Sequence, residues 1–226
     1  VIGSSCGNDR VVPIGGGTTS VSAVESVIGG TGSAVVALID AGSISVSNVE
    51  TVLGTASTTT DDVVRQLGAG TIAVSGVETV IGSSTTGDVA RMLSEGALAV
   101  SAVETVVCTS GTDTVTMLAA GTLAASEVET LLGTTDGAEV VRLVGAGIVG
   151  VSNVDTVLGG SGSDALRMLG AGDVSASSVE TAIGSAGTDT LTLVGAGTVS
   201  VSAIESIVGS TTSVEVVRLI QPGFTF

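Results

Sequence analysis

Four residue types are missing from this chain of 226 residues. It has no Trp, no Tyr, no His and no Lys, and it has only two Phe, whereas 43% of the residues are hydrophobic and 34 are Gly. Large rings usually fill the irregular space of a three-dimensional core. Their near absence favours a core of one repeated layer, in which Val, Leu, Ile and Ala stack in files.

The missing cations and bases exclude several functions. All six basic residues are Arg, and against 22 acids they leave a formal charge of −16. This charge disfavours nucleic-acid binding, which needs clusters of Lys or Arg, and indicates cation binding, solubility or an extracellular setting. There is no His, Lys or Tyr to act as base, acid or electrophile, and the carboxylate pairs repeat uniformly without one site that stands out, so we expect no enzyme activity. No apolar run is long enough to cross a bilayer, so we expect no membrane insertion. The two cysteines, Cys6 and Cys108, are too few for a disulfide framework.

The chain repeats itself with a period of about 25 residues. Each repeat contains a Val-Glu-Thr-like triplet, and the acids of these triplets, called the ladder acids below, are Glu25, Glu50, Glu78, Glu104, Glu129, Asp155, Glu180 and Glu205. A glycine lies four residues after each ladder acid, except that Cys108 replaces it once. Another glycine lies eight residues before each ladder acid.

A second file of acids precedes that last glycine by eight residues. Its members, called the turn acids, are Asp9, Asp62, Asp88, Asp113, Glu139, Asp164, Asp189 and Glu215, with Ala34 at the same position in one repeat. All variation in repeat length falls between the first glycine and the turn acid, where the separation is five, six or eight residues. Variation confined to one point indicates a solenoid with a single tolerant loop.

Within a repeat, apolar and polar residues alternate over short runs that are rich in Val, Thr and Ile and bounded by Gly, which predicts strands. We therefore predict an all-β fold over residues 1–226: one parallel β-solenoid domain of about nine coils of about 25 residues, with three short strands per coil. The crossover rule makes it right-handed. The predicted interior file is Ile44, Ile72, Leu98, Leu123, Val149, Val174 and Val199.

Several surface features remain open at this stage. Arg65, Arg91, Arg142, Arg167 and Arg218 follow turn acids by three residues, so by parity they point outward, where they pair with acids of adjoining coils or of a neighbouring molecule. The ladder acids form a solvated face. Adjacent apolar residues such as Val27 and Ile28 either both point into the core because the chain bends there, or form a continuous apolar stripe on the surface. The segment 221–226 is either a terminal cap or the end of a segment.

One stretch resembles a known family. The run Gly159-Gly160-Ser161-Gly162-Ser163-Asp164-Ala165-Leu166 is similar to the G-G-x-G-x-D-x-U motif of RTX, or haemolysin-type, calcium-binding repeats. Gly184, Gly187 and Asp189 match all but the second glycine, and Gly111 to Val115, including Asp113, keeps the latter half. The full motif occurs once, and the longer repeat departs from the family's nonapeptide array. The resemblance implies an exported module in which turns of neighbouring coils hold Ca²⁺ through the aspartate and through turn carbonyls.

Physical chemistry leaves two interpretations of the turn acids. If they stack one coil apart, like charges repel, and a hard cation with oxygen ligands relieves the repulsion. Alternatively, they are capping residues that accept hydrogen bonds from turn amides.

The sequence therefore predicts an extracellular or cell-surface structural protein, such as a fibre, biofilm matrix, sheath, surface layer or adhesin stalk. It is expected to be a segment of a longer array or a subunit that self-associates end to end, with contact to a cell surface or polysaccharide. The alternative is a calcium-binding RTX-type module of a secreted toxin, adhesin or enzyme.

Overall fold

A computed structural model describes residues 1–4, 7–55, 61–135 and 137–220 of the chain. All regular structure in these ranges is β-strand. Within them, no helix is long and apolar enough to cross a membrane. Cys6 and the segment 221–226, for which a cap was considered, lie outside the described residues.

The chain divides into two compact units, and unit 1 comprises Val1–Asp113. Its strands are β1 (Arg10–Val11), β2 (Gly17–Val21), β3 (Ser26–Ile28), β4 (Ala34–Leu38), β5 (Ser43–Ser47), β6 (Thr51–Leu53), β7 (Val63–Gln66), β8 (Thr71–Ser75), β9 (Thr79–Ile81), β10 (Val89–Met92), β11 (Ala97–Ser101) and β12 (Thr105–Val107). The odd-numbered strands form one sheet and the even-numbered strands a second, and every pairing given is parallel.

Unit 2 comprises Thr114–Phe226 and follows the same plan. Its strands are β13 (Thr114–Met117), β14 (Gly121–Ser126), β15 (Thr130–Leu132), β16 (Glu139–Leu143), β17 (Gly147–Ser152), β18 (Thr156–Leu158), β19 (Asp164–Met168), β20 (Gly172–Ser177), β21 (Thr181–Ile183), β22 (Asp189–Leu193), β23 (Gly197–Ser202), β24 (Ser206–Val208) and β25 (Glu215–Leu219). Odd and even strands again form separate parallel sheets.

The predicted parallel β-solenoid is confirmed, but the predicted coil is wrong. Each strand pairs with the strand two positions later, so one coil holds two strands, one from each sheet. Register partners are separated by 16 residues for Val35 and Thr51, and by 17 for Gly147 and Asp164. The 25 strands thus make about 12 coils, not nine coils of about 25 residues. The handedness stays a prediction.

A sequence repeat, which holds three strands, therefore covers one and a half coils. We call its strands acid-led (β1, β4, β7, β10, β13, β16, β19, β22 and β25), glycine-led (β2, β5, β8, β11, β14, β17, β20 and β23) and short (β3, β6, β9, β12, β15, β18, β21 and β24). Consecutive repeats place the same strand in opposite sheets, and each type returns to a given sheet every third strand. Consequently turn acids of consecutive repeats do not stack on one another, contrary to the expectation from a 25-residue coil.

The core consists of the inward residues of both sheets, as the alternation predicts. The seven residues predicted to line the interior are all buried, but they do not form one file, because the glycine-led strands of consecutive repeats lie in opposite sheets. In the short strands alternation is strict: Val80 is buried, whereas Ile81 points outward and is half-buried. The bend is therefore not needed. Because short strands recur only every third strand of a sheet, their outward residues do not form a continuous stripe either.

Each tight connection between a glycine-led and a short strand contains one residue in the left-handed region. These residues have φ between 51° and 63° and are Ala23, Asn48, Gly76, Ala102, Glu127, Asn153, Ser178 and Ala203. Their carbonyl groups approach the first glycine of the preceding repeat: a Cβ on Gly82 would lie 1.7 Å from the Ala102 oxygen. Only glycine leaves room for this approach. The exception, Cys108, is a buried cysteine whose Sγ lies 3.4 Å from Met92 Sδ.

This close approach yields a prediction for Gly82→Ala. The added methyl group must displace either the backbone or the carbonyl group of Ala102, at a cost of roughly 2–3 kcal/mol in the free energy of unfolding. Gly68→Ala is the matched control, because a Cβ there meets nothing within 4 Å, and its effect should stay within about 0.5 kcal/mol. Urea unfolding followed by circular dichroism measures both; equal midpoints for the two variants would contradict the packing argument.

Candidate metal site and the acidic corners

The RTX-like motif lies in the connection between β18 and β19 and ends at Asp164. The Asp164 side chain is 1% exposed. Its Oδ1 accepts a hydrogen bond from Gly147 N at 3.0 Å, and its Oδ2 accepts one from Gly160 N at 2.7 Å. The amide of Asp164 itself donates to Glu180 Oε2 at 2.7 Å. One turn acid thus connects three successive coils of the odd-strand sheet.

The glycines of the motif each have a local structural reason. A Cβ on Gly159 would lie 1.7 Å from the Ser178 carbonyl oxygen, and one on Gly160 would lie 2.5 Å from the Gly145 carbonyl oxygen. Gly162 has φ of 114°, which side-chain-bearing residues rarely adopt. Every fixed residue of the motif therefore contributes to close packing between coils.

Asp189 repeats this arrangement. Its Oδ1 accepts from Gly172 N at 3.2 Å, and its Oδ2 accepts from Ser185 N at 2.5 Å and from Ser185 Oγ at 2.9 Å. A Cβ on Gly184 would lie 1.7 Å from the Ala203 carbonyl oxygen. A Cβ on Gly187 would meet the Ala171 Cβ at 2.4 Å.

Asp113, the third predicted metal ligand, is also buried. Its Oδ1 accepts from Gly96 N at 2.8 Å, and its Oδ2 accepts from Thr109 N and Oγ1, both at 2.7 Å. Asp62 and Asp88 bind the corresponding glycine amides, those of Gly42 and Gly70, at 3.0 and 3.3 Å. The capping arrangement is thus shared by turn acids with and without the calcium-like glycines.

The donor set around these carboxylates does not fit calcium. Ca²⁺ takes six to eight oxygen ligands, whereas the carboxylate oxygens of Asp164, Asp189 and Asp113 face amide and hydroxyl donors. Each of these oxygens already accepts at least one hydrogen bond, so N–H and O–H groups occupy positions around the carboxylates where a calcium site would need further oxygen ligands. In the described ranges, no three acidic, Cys or His side chains are grouped closely enough to hold a metal ion. Calcium binding stays a prediction, and the surroundings of the carboxylates argue against it.

The ladder acids have a role that the sequence did not suggest. They were expected to form a solvated face, yet each of those with a described contact accepts a hydrogen bond from the backbone amide one coil earlier. Glu78 Oε2 binds Asp62 N at 2.7 Å, and Glu205 Oε2 binds Asp189 N at 2.8 Å. A signal was present: every ladder acid follows its turn-acid position by 16 residues. A constant separation over two strands indicates two residues in direct contact across one coil.

The first coil of unit 1 holds an exposed version of the same arrangement. Hydrogen bonds from the backbone amide of Ser4 (2.5 Å) and from its hydroxyl group (2.9 Å) lower the pKa of Asp9 below its ordinary value. A lowered pKa in the folded state means that the stabilisation is present at neutral pH and is lost as the pH falls through that lowered value.

Small surface recesses recur at equivalent places in the repeat. One of about 260 Å³ lies between residues 151–155 and residues 168–174, and another of about 160 Å³ lies between residues 74–78 and residues 92–98. Each is formed by a left-handed connection and by the connection that precedes a glycine-led strand. Because equivalent recesses occur in different repeats, neither recess stands out as a candidate active site.

Comparison with known proteins adds no family. No family model matches the chain, and neither the curated proteins nor the solved structures contain a significant match.

Glu139 is the turn acid that fits its corner least well. It is fully buried; its Oε1 accepts hydrogen bonds from the amide (3.3 Å) and the hydroxyl group of Thr134, but its Oε2 has no partner among the residues that the structure describes. The amide of Gly121, which an aspartate would bind, donates instead to the Ala138 carbonyl oxygen at 3.2 Å. The extra methylene group therefore leaves one buried carboxylate oxygen unpaired.

We expect Glu139→Asp to stabilise the protein by about 1–2 kcal/mol, because the shorter side chain can bind Gly121 N as Asp88 binds Gly70 N. The loop before Asp88 has the same six-residue length, so Asp88→Glu is the matched reverse variant and should destabilise by a similar amount. Thermal unfolding of the two variants provides the measurement. A lower melting temperature for Glu139→Asp would show that the orphan oxygen has another partner.

Proposed function

We propose that this chain is a structural building unit of an extracellular fibre, matrix, sheath, surface layer or adhesin stalk, without enzyme activity. The proposal rests on the contacts of the acidic side chains. The turn acids, most of which are buried, and the ladder acids accept hydrogen bonds from backbone amides of adjacent coils. These acids therefore connect adjacent coils in nearly every repeat instead of forming a reactive site.

End-to-end stacking is the second part of the proposal. In β22 the inward residues Leu191 and Leu193 are 0% and 7% exposed, whereas their equivalents in β25, Val217 and Leu219, are 39% and 82% exposed. A further coil placed on β25, whether from the same chain or from another copy, would bury this apolar surface and continue the parallel sheet. Such a contact supports growth along the solenoid axis.

An extracellular or cell-surface location is supported by composition. A charge of −16 without any Lys suits a solvated surface outside the cell. Contact with a cell surface or polysaccharide belongs to the same proposal. The alternative function, a calcium-responsive module of a secreted toxin, adhesin or enzyme, is supported by the run Gly159 to Asp164 but opposed by the N–H donors around Asp164.

Electron microscopy of the purified chain tests the structural function. We expect filaments whose length grows with protein concentration, both in millimolar calcium and in excess chelator, because stacking needs no cation. Leu219→Lys places a charge on the exposed end of β25 and should shorten the filaments. Leu93→Lys adds the same charge at an exposed side chain (47%) in the connection from β10 to β11, away from that end, and serves as the control. Monomers under all conditions contradict end-to-end stacking.

Thermal unfolding with calcium and with chelator tests the alternative. A cation that binds only the folded state raises the free energy of unfolding by about 2.7 kcal/mol at a hundred times its Kd. We expect no such difference, because amide donors already occupy the carboxylate oxygens of Asp164 and Asp189. A chain that unfolds in chelator and refolds with calcium would replace the structural proposal by the calcium-responsive one.

A further inference from the structure

Two arginines of unit 2, Arg167 and Arg218, lie on the outer face of the odd-strand sheet, whereas Arg142 of β16 lies on the even-strand sheet. Arg167 of β19 is exposed and stands in register with Gly150 of β17 on one side and Ile183 of β21 on the other. Arg218 of β25 is exposed and stands in register with Ser200 of β23. The sequence-based pairing of these arginines with acids of adjoining coils is therefore not supported by the register.

Each of these arginines is accompanied by an exposed apolar side chain two residues later. Leu169 is 46% exposed and Ile220 is 41% exposed. Leu169 leans over the preceding glycine-led strand, because a Cβ on Gly150 would lie 3.0 Å from its Cδ2. The strands β19 and β25 thus each present a ridge of one cation and one aliphatic group, whereas β13, the other acid-led strand of this face in unit 2, has Thr116 in place of the arginine.

Acidic side chains of unit 2 lie at the edges of the coils rather than on this face. The ladder acids Asp155 and Glu205 are exposed and sit in the connections from β17 to β18 and from β23 to β24. Both connections lead from the odd-strand sheet to the even-strand sheet, so both lie at the same edge. One oxygen of each carboxylate accepts an internal amide hydrogen bond, at 2.9 Å and 2.8 Å, and a carboxylate has further lone pairs for an arginine.

The two rows of charge have the same pitch. Arg167 and Arg218 are three strands apart in the odd-strand sheet, and Asp155 and Glu205 are likewise three coils apart. With about 4.8 Å per strand, both separations are about 14 Å. The two separations are equal because one sequence repeat covers one and a half coils. Two repeats therefore cover three coils, and each strand type then returns to the same sheet. A partner without this period cannot meet successive arginines in register.

We propose that the odd-strand face of unit 2 binds the acidic edge of a second copy of this chain. Arg167 and Arg218 of one copy lie opposite the row of Asp155 and Glu205 of the other, and the contact covers Leu169 and Ile220. Single surface ion pairs contribute little, but a row of pairs in register with buried aliphatic groups fixes both orientation and partner. The contact is lateral, goes beyond end-to-end stacking and does not depend on it.

Sedimentation velocity at low and high salt tests this contact. We expect concentration-dependent association that weakens as salt rises, and a Kd for the Arg167→Glu variant about tenfold higher than for the unchanged chain. Arg10→Glu carries the same change in net charge away from the ridge and should stay within twofold. Leu169→Ser removes the aliphatic contact without altering charge and should also weaken association. Equal Kd values for Arg167→Glu and Arg10→Glu would overturn the proposal, as would a monomer at every concentration in low salt.

Disulfide trapping distinguishes this contact from face-to-face packing and from end-to-end stacking. In a background with Cys6→Ser and Cys108→Gly, Leu169→Cys is mixed with Asn153→Cys, whose exposed position adjoins Asp155. We expect cross-linked dimers that contain one copy of each variant. Dimers of Leu169→Cys alone indicate that two faces meet and overturn the edge-to-face contact. Filaments of single width with no cross-link leave end-to-end stacking intact and remove only the lateral contact.

Discussion

Burying a carboxylate is unfavourable unless hydrogen-bond donors replace the water around it, and the turn acids satisfy this condition with backbone amides. Asp164 accepts from Gly147 and Gly160 while its own amide binds Glu180, so each corner ties its coil to the coils before and after it. The same constraint requires glycines before the turn acid. The backbone groups of adjacent coils approach closely there, and a Cβ would separate them. The connections between strands, more than the strands themselves, therefore keep successive coils in register.

The same constraint explains why length varies at one point only. From a turn acid to the next ladder acid the chain runs through an acid-led and a glycine-led strand, which is one full coil, and the two residues then meet. An insertion anywhere in these 16 residues would separate Asp62 N from Glu78 Oε2 or its counterparts. Residues added before the turn acid leave this 16-residue segment unchanged: where Gly54 and Asp62 are separated by eight residues, Asp62 N still donates to Glu78 Oε2 at 2.7 Å.

Because a repeat covers one and a half coils, neither sheet is chemically unique. Each sheet carries the three strand types in the same order, so an arginine ridge appears on both faces and a ladder acid at both edges of a unit. The regular order of the three strand types thus places charged and apolar groups at regular intervals on the surface of the chain. A second copy carries a pattern of identical pitch, which is the physical basis for assigning a structural and self-associating function to an otherwise uniform molecule.

The alternation of apolar residues and the glycine spacing were sufficient to predict parallel strands, the buried positions from Ile44 to Val199, and the outward arginines. An alternation of period two and the need to bury Val, Leu and Ile leave few other arrangements. The number of strands in a coil was not determined in this way. All three strand types have the same inward and outward alternation, so any can stack on any other, and a 25-residue coil of three strands satisfies the sequence as well as a coil of two. The tertiary structure decides between them through long-range contacts: the amide of Asp62 reaches Glu78 only in the two-strand coil. The same contacts show that Asp164 caps backbone amides, one of the two roles that the sequence left open, because whether a carboxylate faces amides or open space depends on the coil beside it.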